Sequence, residues 1–396
     1  MLNIFILTAV ILVSALLIWP RVANSPLWRA TITPLASIIG SGFLVLGPIL
    51  DVSFGGWAPL AMLLLCGVAW GFGSAIRFNI QDIDTRAQRG PVIHRMELFA
   101  SVSLAFAFFI SVAYYLNLFG SFAVSLTSVD DPFHARLMTT GVFLLILSVG
   151  CTRGFSALER MEQISVGVKL AVIAGLIVGL AVYFGDQAHA GALVFDQAKE
   201  SGTNALMLLA GLIVTVQGFE TSRYIGHTYD AKTRIRSMWW AQIIATVIYL
   251  VYIGLLTYAI VPGELELDET AIIDLMLVVA PILPVLLVAA ALAAQFSAAI
   301  ADTSGSGGLL SEISGGRISP RMGYGLLVGI GLLLTWTSNV FEIISFASRA
   351  FAIYYALQSG IAAYAAMSLK RKPSAIFFAL MAVLALAISL FGIPAE

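Results

Sequence analysis

The chain has 396 residues, of which 60% are hydrophobic and only 11% are charged, and its formal net charge is −1. A soluble protein of this length would need far more polar surface, and no basic stripe suits nucleic acid. Apolar runs of about 20 residues are typical of membrane-spanning helices, whereas strands of a membrane barrel need only about 10. The composition therefore predicts an all-α polytopic membrane protein in the lipid bilayer with about twelve transmembrane helices, at residues 2–20, 28–50, 57–80, 98–127, 137–152, 163–184, 204–226, 238–262, 276–310, 322–337, 340–368 and 373–393.

The first apolar run resembles a signal peptide in position, but no basic region precedes it and Arg21 follows it. We therefore expect a retained first helix. Lys and Arg are concentrated in alternate loops, around 21–29, 81–95, 153–160, 229–237, 311–321 and 370–372, and the other loops are acidic. Because positive loops stay in the cytoplasm, both termini are predicted outside a bacterial inner (plasma) membrane.

The second apolar run contains the stretch IIGSGFLVLGP, in which Gly40, Ser41 and Gly42 are consecutive. Glycine costs about 1 kcal/mol relative to alanine in a helix interior. One interpretation is a discontinuous helix, whose ends would offer free N–H and C=O groups to a substrate or ion. The other is close helix packing through small residues.

A second weak point lies in the seventh run, where Gln217, Gly218 and Glu220 interrupt an apolar segment. A carboxylate near mid-membrane indicates a functional site by default, although it could also pair with nearby Arg223. Without the first helix, the two interrupted runs are numbers one and six, which is the pattern of two five-helix inverted repeats. We expect an extra N-terminal helix at 1–22, repeats at 28–184 and 204–368, and a C-terminal helix at 373–396.

Four stretches resemble the amino acid–polyamine–organocation (APC) superfamily. IIGSGFLVLGP is similar to the signature IGxGIFxLPG of the first core helix, and VQGFETSRYIG contains the GFE of the sixth at 218–220, followed by a basic tail. MEQISVGVKLAVIAGLIVGL resembles the fifth core helix, including Lys169, and LLSEISGGRISPR resembles the end of the eighth. The chain departs from the family in its extra first helix, its single helix after the core and the missing acidic pair around His227-Thr228.

This resemblance implies a LeuT-like fold with discontinuous first and sixth core helices, and a carrier that works by alternating access. It implies that the substrate's carboxylate rests on N–H groups of the first core helix and its amine meets the first and sixth. Phe43 and Phe219 flank the breaks and could cover a ligand, and of the pair Tyr114-Tyr115 at most one side chain faces a given site. The expected substrate-binding residues are Gly40, Ser41, Gly42, Phe43, Tyr114, Gln217, Gly218, Phe219 and Glu220.

Two further places carry candidate coupling residues. Lys169 either snorkels to the membrane interface or puts its ammonium where sodium-coupled relatives of the fold bind sodium. In the second case the protein's own cation replaces the ion, and a desolvated lysine can lower its pKa and carry a proton. Asp302, Thr303 and Ser304 form an oxygen-bearing group in the eighth core helix, where sodium-coupled relatives supply hydroxyl ligands. Asp302 could instead pair with Lys169, relay a proton, or cap a glycine-rich stretch.

Arg349 is deep enough in its span to need a partner. We interpret it as a structural pair, as a gate closing on an acid of another helix, or as a contact for an anionic substrate. Glu342, seven residues earlier, is too distant for an easy direct pair.

The sequence favours a sodium-independent transporter for amino acids or related small amines, proton-coupled or exchanging. A sodium-coupled symporter of the same fold is the nearest alternative, and a non-transporting sensor is another. An integral-membrane enzyme is disfavoured, since no span carries the paired His, Asp or Cys groups that hydrolysis or transfer in the membrane needs, and no catalytic residue is assigned. The P-loop, GxSxG and HExxH motifs of soluble enzymes are also absent. No cofactor or metal site is expected, because the cysteines and histidines show no ligand spacing.

Overall fold

The computed structural model describes residues 2–40, 42–85, 90–152, 156–224, 229–260 and 268–395, so Ser41 lies outside the described residues. Every regular element in these ranges is a helix, as the composition predicts. The α-helices are α1 (Leu2–Ile18), α2 (Pro20–Ala23), α3 (Pro26–Ile38), α4 (Gly42–Phe54), α5 (Ala58–Thr85), α6 (Pro91–Val124), α7 (Pro132–Thr152), α8 (Ser156–His189), α9 (Gly202–Gly211), α10 (Thr221–Tyr224), α11 (Ala231–Ala259), α12 (Ile272–Val279), α13 (Leu283–Ile313), α14 (Pro320–Thr337), α15 (Val340–Ser368) and α16 (Lys372–Phe391).

Across the described ranges, eight helical segments are long and apolar enough to cross a membrane, and one of them joins α4 to α5. The other predicted spans correspond to α1, which is apolar but shorter, to α14, and to the two interrupted helices. The ninth predicted span, 276–310, differs in detail, because Ala280 is extended and separates α12 from α13. Pro281, which follows, has no N–H to continue α12.

Both predicted interruptions are present, and this confirms the discontinuous first and sixth core helices. At the first, Ile39 leaves the helical conformation with φ −83° and ψ 43°, and the helix resumes at Gly42. At the second, α9 gives way to a 3-10 turn, Ile213–Val216, and Gln217 is extended. Gly218 then adopts a φ of +115°, a conformation that L side chains rarely take, before α10 begins.

The helices of the core surround these two interruptions. α6 packs against α13 and α15, and α11 packs against α3, α5 and α8. The two helices outside the ten-helix core lie on the periphery: α1 runs along α8 and α16 runs along α15. Ile6 on α1 is fully buried against Gly175 and Gly179 of α8. The architecture thus places the helix breaks at the centre of the molecule.

Candidate functional site between the two interrupted helices

The two interruptions touch each other through their backbones. A Cβ atom added at Gly42 would lie 2.6 Å from Cα of Thr215, and one added at Gly218 would lie 2.5 Å from Cβ of Ser37. Such distances leave no room for a side chain, so glycine is required at both positions. The two breaks, near residues 40 and 217, are distant in the sequence. They meet in the structure and therefore form one site.

A single tyrosine of α11 joins the freed carbonyl groups of both breaks. The hydroxyl of Tyr249 lies 3.0 Å from the carbonyl oxygen of Ile38 and 2.8 Å from that of Thr215. A phenol has one hydrogen to donate, so the two carbonyls share it. Tyr249 is completely buried, and its sequence context is an ordinary apolar helix, which gave no signal of this contact.

A serine of α15 satisfies the second break in a similar way. The hydroxyl of Ser348 accepts from the N–H of Val214 at 3.1 Å and donates to the carbonyl of Gly211 at 2.6 Å. It replaces the helical bonds that end at α9 and the 3-10 turn. Sequence reasoning missed Ser348, because a single serine in a membrane helix usually indicates packing.

Glu220 is buried immediately after the second break. Its Oε2 accepts from the backbone N–H of Gly218 at 3.0 Å and from the hydroxyl of Tyr355 at 3.1 Å. The Tyr355 ring stacks on Phe219, with centroids 5.4 Å apart, and on Phe72, at 4.9 Å. The carboxyl group is therefore held by the break itself and by α15.

The predicted alternative partner of Glu220, Arg223, is bound elsewhere. Its Nη2 pairs with Glu97 Oε2 of α6 at 2.5 Å, and its Nη1 donates to Gln358 Oε1 of α15 at 2.8 Å. The Asn79 side chain on α5 donates to the same Gln358 oxygen at 2.8 Å. This group of four side chains, which we call the Arg223 network, links α5, α6, α10 and α15 one turn beyond Glu220.

The aromatic and amide groups around the breaks are arranged differently from the expectation. Gln217 Nε2 donates to the hydroxyl of Tyr115, at 3.1 Å, and Tyr114 lies beside it with ring centroids 5.3 Å apart. Phe43 packs on α11, with its ring 4.4 Å from that of Tyr252. The described contact to the second break is therefore made by Tyr115, and the role of Tyr114 in substrate binding stays a prediction.

Lys169 reaches the first interrupted helix. Its Nζ donates to the carbonyl of Ala36 at 2.6 Å, and the residue is only 2% exposed. The ammonium is thus buried beside the last turn of α3, three residues before the break, instead of snorkelling to an interface.

The polar group of α13 is partly described. Asp302 is buried and accepts a hydrogen bond from the hydroxyl of Ser111 on α6. The Thr303 hydroxyl donates to the carbonyl of Ala299, four residues earlier in its own helix, at 2.6 Å. The side chain of Ser304 lies outside what the structure describes. α13 packs against α8, the helix that carries Lys169.

Arg349 holds the segment that follows α16. Its Nε and Nη2 donate to the carbonyl of Gly392 at 3.0 and 2.5 Å. The next residue, Ile393, donates its backbone N–H to the carbonyl of Met207 in α9, at 3.0 Å. The described partner of Arg349 is therefore a backbone carbonyl, and a gating role stays a prediction.

Comparison with known proteins agrees with this architecture. A family model described as APC superfamily transporter matches residues 20–392. An uncharacterized protein of Aquifex aeolicus (strain VF5) is 38% identical over 399 residues, covering 99% of this chain and 97% of the relative.

Two solved structures share the fold at low sequence identity. Mhp1, a nucleobase-cation-symport-1 family transporter in a closed conformation with bromovinylhydantoin bound, is 13% identical, with a TM-score of 0.56 over 92% of this chain and 91% of its own. A Na⁺-coupled sialic acid symporter in a substrate-bound outward-open state is 14% identical, with a TM-score of 0.57 over 100% and 96%. The chain is therefore a multi-pass membrane protein with a LeuT-like fold that belongs to the family of APC superfamily transporters.

Proposed function

We propose that this transporter carries amino acids or related small amines by alternating access, and that it is driven by protons or by exchange without sodium. The observation that carries the proposal is the buried contact between the ammonium of Lys169 and the carbonyl of Ala36. That carbonyl belongs to the first interrupted helix, close to its break.

A fixed ammonium at this position performs the work of a bound cation. A sodium ion here would need several oxygen ligands, among them backbone carbonyls of α3 and hydroxyls of α13. Lys169 already donates to one such carbonyl and neutralises its partial charge. An ammonium exchanges a proton with water when the site opens, whereas sodium has to be delivered from solution.

The groups at the two breaks suit a zwitterionic substrate. The first N–H groups of α4 lack intrahelical partners, and a helix N-terminus favours a carboxylate. Gln217 Oε1 is buried and receives no hydrogen bond from the described residues. This oxygen and the Glu220 carboxyl, at the second break, are acceptors for an amine. The substrate class therefore rests on a donor end at the first break and an acceptor end at the second.

Uptake by the purified protein in proteoliposomes tests both parts. We expect accumulation of radiolabelled amino acids or amines that rises with an inward proton gradient, or with trans-loaded substrate, and persists when choline replaces sodium. Loss of a hydrogen bond to a charged group predicts that Lys169→Ala lowers transport by about tenfold or more. Lys199→Ala is the control, because Lys199 is exposed in the loop before α9.

A strict requirement for sodium would overturn the coupling proposal and favour a sodium symporter. Transport of other solutes only, with amino acids and amines inactive, would overturn the substrate class.

The orientation of the chain in the membrane is inferred from its basic loops. We propose that the chain resides in a bacterial inner membrane with both termini outside, as the basic loops indicate. We also keep 28–184 and 204–368 as the limits of the two repeats. Labelling of single cysteines introduced at Ser201 and at Lys370 tests the orientation, since the former should react from outside and the latter from inside.

A further inference from the structure

A second buried acid lies outside the site described above. Asp51, near the end of α4, is 3% exposed, and its Oδ2 has no hydrogen-bond partner among the described residues. The hydroxyl of Thr257 on α11 lies near this carboxyl group, and Asp196, in the loop before α9, is a second acid in its surroundings. No function has been assigned to this position by the sequence motifs.

Two hydroxyl groups of α11 converge on the same place. A Cβ atom added at Gly47, one turn before Asp51 on the same face of α4, would lie 2.2 Å from the hydroxyl of Tyr252. Tyr252 and Thr257 are 0% and 3% exposed, and neither hydroxyl has a hydrogen-bond partner within the described ranges. Three buried polar groups therefore face one another at the α4–α11 contact with unused hydrogen-bonding capacity.

Among the contacts that the structure describes around Asp51, no positively charged side chain pairs with its carboxyl group. The side chain of Asp196 adds a second negative charge near Asp51. The backbone carbonyl of Asp196 accepts a hydrogen bond from the N–H of Gly56 at 2.9 Å. Lys199 and Glu200 contact α4 through their backbone N–H groups, which donate to the carbonyl of Ser53. Tyr258 donates to Gly56, and Asp274 on α12 is exposed.

We propose that Asp51 is a proton-carrying site that gains or loses its proton when α4 separates from α11 and is shielded when the two helices pack. A charged carboxylate that is buried in protein is costly beside a second acid and without a cation. Hydroxyl groups donate as well as accept, so Tyr252 and Thr257 can bond to either protonation state of the acid while α4 and α11 are packed. The site lies on α4, the half of the first interrupted helix that contacts the loop holding Asp196.

The proposal rests on the proposed function only in that the proton serves transport, and its test does not require a transported solute. Infrared spectroscopy of the full-length purified protein, in sodium-free buffer at neutral pH, detects the C=O stretch of a protonated carboxyl. We expect a band that Asp51→Asn removes and Thr257→Val shifts. The same band remains in Glu220→Gln, the matched change at a buried acid of the central site.

Identical spectra for the wild type, Asp51→Asn and Thr257→Val would overturn the proposal. Loss of the band on adding sodium at constant pH would also overturn it, since the site would then bind a metal cation. Thr257→Val retains the acid, so it keeps the proposal testable should Asp51→Asn fail to fold. Failure of amino acid uptake with this band present would affect the proposed function alone.

Discussion

At the scale of single residues, polar side chains take over hydrogen bonds that the broken helices give up. Tyr249 serves both breaks and Ser348 serves the second. In a membrane an unsatisfied buried carbonyl has no water to turn to, so these contacts maintain the breaks. The breaks are thus stabilised features of the fold.

Replacing Tyr249 with Phe removes the shared donor and leaves the carbonyls of Ile38 and Thr215 buried without it. We expect a loss of stability of about 1 kcal/mol, the usual size of an interhelical hydrogen bond in membranes. Thermal unfolding of the purified protein measures it. Tyr364→Phe is the control, because that ring is 48% exposed. Equal melting temperatures for the two variants would contradict the bridging role.

Gly218→Ala tests the geometry of the second break. The new side chain would sit at φ +115° and 2.5 Å from Cβ of Ser37, and strained backbone of this kind costs about 1–3 kcal/mol. We expect weaker folding and loss of transport, judged by yield, melting temperature and uptake. Gly254→Ala, on α11 with open space around it, should behave as the wild type. A fully active Gly218→Ala protein would count against a packed break.

Individual residues were predictable where their chemistry is unusual for lipid. Gly42, Gly218, Glu220 and Lys169 stand out as small or charged groups in apolar runs, and the structure puts them at or beside the breaks. Tyr249 and Ser348 do not stand out, because tyrosine and serine are common in membrane helices. Their roles arise from helix packing, which a single sequence does not specify.

At the scale of elements, α10 is a short helix that follows the second break. It carries Arg223 and Tyr224. The hydroxyl of Tyr224 lies 3.1 Å from the hydroxyl of Tyr354 on α15. The Arg223 network ties α10 to three other helices. We therefore expect the network to restrain movement of α10.

Glu97→Gln weakens the network at its ion pair, whose side chains are 9% and 21% exposed. Removing a charged hydrogen-bond partner costs about 1–3 kcal/mol, so α10 should open more often. Hydrogen exchange of residues 221–224 should be faster than in the wild type, and Glu312→Gln, an exposed acid on α13, should leave it unchanged. Unaltered exchange in Glu97→Gln would show that the pair does not restrain α10.

Element boundaries were predictable from hydropathy and length for the long spans and from glycine for the breaks. The division between α12 and α13 was missed, because 276–310 is continuously apolar and Pro281 was read as part of one run. The Arg223 network was also missed, since its four members come from four distant segments. Long-range pairing of this kind leaves no periodic trace in the sequence.

At the scale of the whole molecule, the two interrupted helices meet at the centre, and a half-helix extends from each break. α4 follows the first break and carries Asp51. α10 follows the second break and carries Arg223, the centre of the Arg223 network. Lys169 of α8 donates to the carbonyl of Ala36 in α3, and Glu220 follows the second break. This arrangement fits a carrier in which each half of the site opens by moving a half-helix.

The overall fold was predictable from the order and spacing of the two weak points, which matched the inverted-repeat pattern. Substrate identity was not, because it depends on the shape of the pocket formed by side chains from several helices. The exposed apolar surface likewise carries no information on partners, since lipid covers it.

The most direct test of the central claim is thermal stabilisation of the purified protein by a library of amino acids, amines and carboxylates, with and without sodium. A ligand at about 100 times its Kd stabilises the folded state by about 2.7 kcal/mol. We expect an amino acid or amine that stabilises the protein without sodium, fails to stabilise Glu220→Ala and Gly42→Leu, and still stabilises Glu312→Gln. A hit that needs sodium, or one that survives both changes at the breaks, would contradict it.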